Sequence, residues 1–179
     1  MRIMLTKNPS YRALFLLSIT FDWSQKKMRQ ILLASTIAVI PLLGFSQKLP
    51  PVLHQDSQAV ITTSPGVSLR ELSGRTAPAG ARSELVSVAL FHLESGKASA
   101  WSHNKIGEES FFVLKGEGEV WTDGKVQAVR PGSYIVIQPA TVRSIRASKG
   151  VALEFYAITS PAWSSSDDVL TTAPEGAPK

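Results

Sequence analysis

Trp101–Trp121, WSHNKIGEESFFVLKGEGEVW, is the stretch that decides the fold. A polar segment holding His103, Lys105, Glu108 and Glu109 runs into a short apolar strand, Phe111–Leu114. A Gly-rich turn, Lys115–Gly118, then leads to a second strand, Glu119–Trp121. This is the pattern of a small β-barrel that carries polar groups on the inner wall of a strand. Moving outward, the same alternation of strand and turn chemistry continues. Strands are expected at Ala59–Thr62, Ser68–Leu72, Leu85–Leu93, Ser110–Leu114, Glu119–Thr122, Val126–Val129, Tyr134–Ile137, Arg143–Arg146 and Val151–Ile158. Between them lie Ser64-Pro65-Gly66, Gly116–Gly118, Asp123-Gly124, Pro131-Gly132 and Lys149-Gly150. Asp123-Gly124 is a strong hairpin signal, because a type I′ turn needs positive φ at both central residues. Leu85–Leu93 is apolar on both faces, so it belongs in the middle of a two-layered structure. No helix of three turns is visible after the leader, and strands at this spacing indicate an all-β sandwich or barrel.

Composition narrows the function classes. The chain has 179 residues, enough for one domain with a real core, and no cysteine. Disulfides, thiolate zinc sites and cysteine nucleophiles are therefore excluded. The net charge of +5 would suit a nucleic-acid binder, but it is not spread over the chain. Residues 1–46 hold six basic side chains against Asp22 alone, and residues 47–179 are formally neutral. No basic face with interleaved aromatics remains, so no nucleic acid is expected as a partner. Lys26-Lys27-Met28-Arg29, the apolar run Ile31–Gly44 and the small residues Gly44 and Ser46 read as a signal peptide cut before Gln47. The run is shorter than the roughly 20 residues of a membrane span. The expected organisation is a leader at 1–46, with 28–46 signal-like and 1–27 an over-long start before Met28. An arm follows at 47–58, a barrel at 59–163 and a flexible tail at 164–179. The mature protein is expected in the periplasm or outside the cell, free of the membrane once the signal is cleaved.

Trp101–Trp121 followed by Arg130–Arg146 resembles the cupin superfamily, whose fold is a double-stranded antiparallel β-barrel of the jelly-roll type. The first cupin motif runs Gly, five residues, His-x-His, three or four residues, Glu, six residues, Gly. Glu109 and Gly116 fit its second half. With a three-residue spacer the two histidine positions fall on His103 and Lys105. With a four-residue spacer they fall on Ser102 and Asn104, and Gly96 fits the opening glycine. In the second motif Gly132 fits the start, and Arg143 stands where the histidine belongs. The resemblance covers roughly Leu85–Asp168. It implies a bacterial single-domain protein and a homodimer paired through outer sheets and N-terminal arms.

Metal-binding members of that superfamily hold their ion with three histidines and a glutamate. This chain offers His103 and Glu109 as metal ligands for iron, manganese, nickel or zinc, which is an incomplete set. His92 on the adjacent strand is a further histidine that could be recruited. A lysine or arginine at a ligand position is a fixed cation with no acceptor and repels an ion. If the barrel register holds, Glu109, Phe111 and Val113 share one face, and Arg143 is aimed at the same cavity. His103, Lys105, Glu109, Phe111 and Arg143 would then line a site for a small polar or anionic molecule such as a carboxylate, sugar acid or phosphate. The alternative is a plain internal ion pair of Glu109 with Arg143. Two functions follow. One is a binding module with a decayed metal site. The other is an enzyme, either a metal-dependent dioxygenase or a metal-free isomerase or lyase with His103 and Glu109 as catalytic acid and base. Adjacent strand residues face opposite ways, so Glu108 and Glu109 are not both in the cavity.

Overall fold

The computed structural model describes residues 51–177. The expectations for the leader (1–46) and for the first arm residues (47–50) lie outside that range. Eleven strands form two antiparallel sheets, and the only helical segment among the described residues is a single 3-10 turn, Gln55–Ser57. The strands are β1 (Ile61–Ser64), β2 (Val67–Ser73), β3 (Ser87–Leu93), β4 (Ser102–Asn104), β5 (Glu108–Lys115) and β6 (Gly118–Thr122). They continue as β7 (Lys125–Val129), β8 (Tyr134–Ile137), β9 (Arg143–Ala147), β10 (Leu153–Ser160) and β11 (Asp168–Leu170). One sheet has the order β1-β2-β3-β10-β5-β8 and the other β11-β4-β9-β6-β7. From β3 onward the chain passes from sheet to sheet at nearly every connection, the β6–β7 hairpin being the exception. This is the expected jelly roll.

The period of two fixes which side chains meet between the sheets. Leu153, Phe155, Ala157 and Thr159 of β10 are buried while the residues between them are not. Phe155 stacks on Phe91 at 5.2 Å and meets Phe111 edge-on at 5.0 Å. Leu93, Val113, Val120, Ile145 and Ala147 complete this apolar end. Burying a side chain of this size stabilises by about 1.5–3 kcal/mol. As β3 was expected to do, it lies inside its sheet, between β2 and β10. Asp123 (φ 43°) and Gly124 (φ 82°) turn β6 into β7 with both central residues at positive φ, as the Asp-Gly pair predicts.

Three expectations need correction. Ser102–Asn104 is a strand, β4, although its polar residues give no apolar alternation to read. The barrel also does not end at Trp163. Asp168–Leu170 pairs with β4 as the edge strand β11, so the segment read as a flexible tail closes the second sheet. The arm is likewise not loose over residues 51–58. Tyr156 donates its hydroxyl to Gln55 Oε1 (3.0 Å), Arg70 donates to the Gln58 carbonyl, and Gln58 is buried.

The turn that carries the chain from β5 in one sheet to β6 in the other is set by a close approach. Gly116 has φ 79°, and a Cβ there would lie 1.8 Å from the carbonyl oxygen of Ala152. Gly124 has a similar φ of 82° but nothing within 4 Å. Gly116→Ala should therefore cost at least about 3 kcal/mol, since it combines backbone strain with overpacking. Gly124→Ala should cost about 1–2 kcal/mol, from strain alone. Urea unfolding of the two variants checks this, and equal losses would show that the contact with Ala152 does not matter.

Candidate functional site

The end of the barrel opposite the phenylalanine cluster is polar. Glu109 and Thr159 are neighbours across β5 and β10, and both are buried. Facing them from the other sheet are Ser102 and Arg143, neighbours across β4 and β9, and the β4–β11 pair Asn104 and Asp168. Arg143 is 6% exposed and reaches across the gap between the sheets. Its Nε donates to Glu109 Oε2, its Nη1 to Ser102 Oγ at 2.7 Å, and its Nη2 to Asn104 Oδ1 at 3.3 Å. Asp168 Oδ1 lies 3.6 Å from Nη1, an ion-pair distance rather than a hydrogen bond. Two carboxylates thus surround one guanidinium.

Loops close over this end. The Ala140 amide donates to the Asn104 carbonyl at 2.7 Å. Asp167 accepts from the amides of Ile106 (2.8 Å) and Gly107 (3.0 Å), and Trp163 Nε1 donates to Asp168 Oδ2 at 3.2 Å. Two buried polar atoms beside the guanidinium have no hydrogen-bond partner, the donor Asn104 Nδ2 and the acceptor Asp168 Oδ1.

The sequence-predicted residues divide into two groups. Glu109, Phe111 and Val113 share the inner face of β5, as expected, and Arg143 meets Glu109. Phe111 belongs to the apolar core, packed edge-on to Phe155, and so does not line the polar end. His103 lies between the buried Ser102 and Asn104, which puts it on the opposite face of β4 from Arg143. Its Nδ1 is buried without a partner there. Lys105 is also outside, donating its Nζ to the Ser166 carbonyl at 2.8 Å. The proposed pairing of His103 with Glu109 is therefore not formed. His92 lies 3.4 Å from Glu154, which also binds Lys115 at 3.2 Å, away from the polar end. Glu108 faces out and accepts from Gln138. Trp101 and Trp121 pack edge-on at 4.9 Å against one another.

Of the two motif alignments, the four-residue spacer is thus the one whose positions converge: Ser102, Asn104, Glu109 and Arg143. Asp168 joins them and was not picked out as a site residue. The sequence signal for it was faint, a second acidic residue after the closing Ser160–Trp163 segment. The converging positions do not fit a divalent cation. Arg143 brings a fixed positive charge to their centre, which repels such an ion. Among the described residues no group of three or more His, Asp or Glu could hold a metal ion.

Burial pushes the Glu109 carboxyl above its usual value of 4.5. Arg143 pulls it down through charge and hydrogen bond, and Asp168 adds to the rise, but burial is the largest effect. Folded Glu109 therefore holds its proton more tightly than unfolded Glu109. Its contribution to stability is complete below 4.5 and is lost as pH rises through the raised value.

The family model of the cupin domain matches residues 89–159. No curated protein matches the sequence. Among solved structures, KdgF from a Halomonas species superposes with a TM-score of 0.56 at 13% identity, covering 65% of this chain and 97% of its own. The polyketide cyclase RemF from Streptomyces resistomycificus gives 0.57 at 15% identity, covering 70% and 88%. The nucleoside dehydratase Pac13 from Streptomyces gives 0.55 at 14% identity, covering 68% and 90%. At these identities the likeness shows the fold alone.

Glu109→Gln should mimic the protonated carboxyl and remove one slope from the stability profile. Urea midpoints of the wild type should fall as pH is raised above 4.5, relative to those of the variant. Parallel profiles would mean that Glu109 does not titrate in that window.

Proposed function

This chain is a member of the cupin superfamily, with its cupin domain at residues 89–159, and from that premise we propose that it is an exported, metal-independent barrel that binds a small polar ligand at its polar end. The observation that carries this reading is the place of the Arg143 guanidinium, at the point where the motif positions converge. A second observation favours a ligand over a purely structural pair. Asn104 Nδ2 and Asp168 Oδ1 offer a buried donor and a buried acceptor on paired residues of β4 and β11, neither with a hydrogen-bond partner. A hydroxyl-rich molecule can satisfy such a pair, because each hydroxyl both donates and accepts.

Charge refines the ligand class. Arg143 already faces Glu109 and Asp168, and Lys105 and His103 are turned away. Of the two arrangements open from the sequence, the ion pair of Glu109 with Arg143 is the one formed, so an uncharged or cationic polyol suits the site better than an anion. Export rests on the basic residues before the apolar run Ile31–Gly44 and the small residues near Gln47.

An enzyme that uses Glu109 as an acid is the second reading, and the raised carboxyl favours it. Its structural neighbours include a nucleoside dehydratase and a polyketide cyclase, so the fold is one that hosts enzymes.

Metal analysis separates these readings from metal-dependent chemistry. Protein purified without chelator is expected to carry no stoichiometric iron, manganese, nickel or zinc. Near-stoichiometric metal that disappears in Glu109→Ala would overturn the proposal. A thermal-shift screen of neutral polyols, amino sugars and sugar acids should give its largest shifts with the first two classes. Asn104→Ala should weaken binding of a hit about tenfold to a hundredfold. Hits confined to sugar acids would reverse the charge argument.

A further inference from the structure

We propose that Arg143 is a resident cation, that its guanidinium joins the two sheets as an ion would, and that the oxygen atoms around it will accept a divalent cation once the guanidinium is removed. The groups facing the guanidinium are all oxygens: Glu109 Oε2 from β5, Ser102 Oγ and Asn104 Oδ1 from β4, and Asp168 Oδ1 from β11. They come from both sheets and from three strands, and β9 supplies the cation. Arginine suits this place because its planar fork presents several N–H donors in fixed directions, which lysine cannot do.

Removal of the side chain would leave two carboxylates and two neutral oxygens around a void. Buried carboxylates without a counter-charge are strongly destabilising. The same group of oxygens is a hard donor set of the kind that manganese and calcium prefer. The vacated site should therefore recover stability from either of two unlike cations, a small guanidinium or a metal ion. The inference rests on the metal-independent reading of the site but not on the identity of the ligand.

The test is thermal unfolding of the full-length Arg143→Ala chain, titrated with methylguanidinium, Mn²⁺ or Ca²⁺. The wild type and the double variant Glu109→Ala, Arg143→Ala serve as comparisons. Loss of the guanidinium should lower the midpoint by about 10 °C or more. Methylguanidinium, and Mn²⁺ or Ca²⁺, should restore much of it in Arg143→Ala and leave the other two proteins unchanged. Folded Arg143→Ala that responds to no cation would overturn the proposal, and so would equal shifts in all three proteins. If the variant does not fold alone, refolding in Mn²⁺ must recover soluble protein, and failure to do so would also overturn it. Metal in the wild type would instead defeat the proposed function, so the two failures are distinguishable.

Discussion

A guanidinium in the interior of a small barrel has to be matched on every side. Left alone in a low-dielectric interior it would cost several kcal/mol, and that cost dictates what surrounds it. Arg143 therefore constrains the inner positions of β4, β5 and β11 at once. The barrel divides into a polar end around this one side chain and an apolar end around Phe155. Replacing the pair by hydrophobic residues of similar volume need not weaken such a fold. A buried pair of this kind is better suited to specifying structure than to adding stability.

Most of the fold was legible because its strands alternate and its turns carry their own chemistry. Asp123-Gly124, the two-faced β3 and the long β10 all followed from the residues. The contact of Glu109 with Arg143 was legible too, as one of two arrangements, once Glu109, Phe111 and Val113 were placed on one face. Two short strands were not. Ser102–Asn104 and Asp168–Leu170 offer little apolar pattern, and their strand character comes from pairing with each other and with β9. The site suffered from the same gap. The two motif alignments differ by one residue, and a shift of one residue in a strand exchanges its inner and outer side chains. That is why His103 and Lys105 stood as candidates while Ser102 and Asn104 hold the guanidinium. Asp168 could not be found locally, because only tertiary pairing brings it to Asn104.

The histidine count also changes its meaning. His92 and His103 are both accounted for on other faces of the barrel, and His54 lies exposed in the arm. None of the three reaches Glu109 or Arg143. The centre of this site is therefore held by Arg143 and by no histidine. The fold is shared with proteins of several different activities, so chemistry has to be argued from Asn104, Asp168 and Glu109 themselves.

The order in which the counter-charges are threaded along the chain has a kinetic side. Arg143 binds Ser102, Asn104 and Glu109 at separations of 41, 39 and 34 residues. Asp168 comes later still, on the last strand. Such non-local pairing folds slowly, on the order of milliseconds to seconds. During synthesis, every group but one that matches the guanidinium has been made by the time β9 appears, and the final carboxylate follows with β11. The barrel's polar end therefore lacks one of its two carboxylates until β11 has been made.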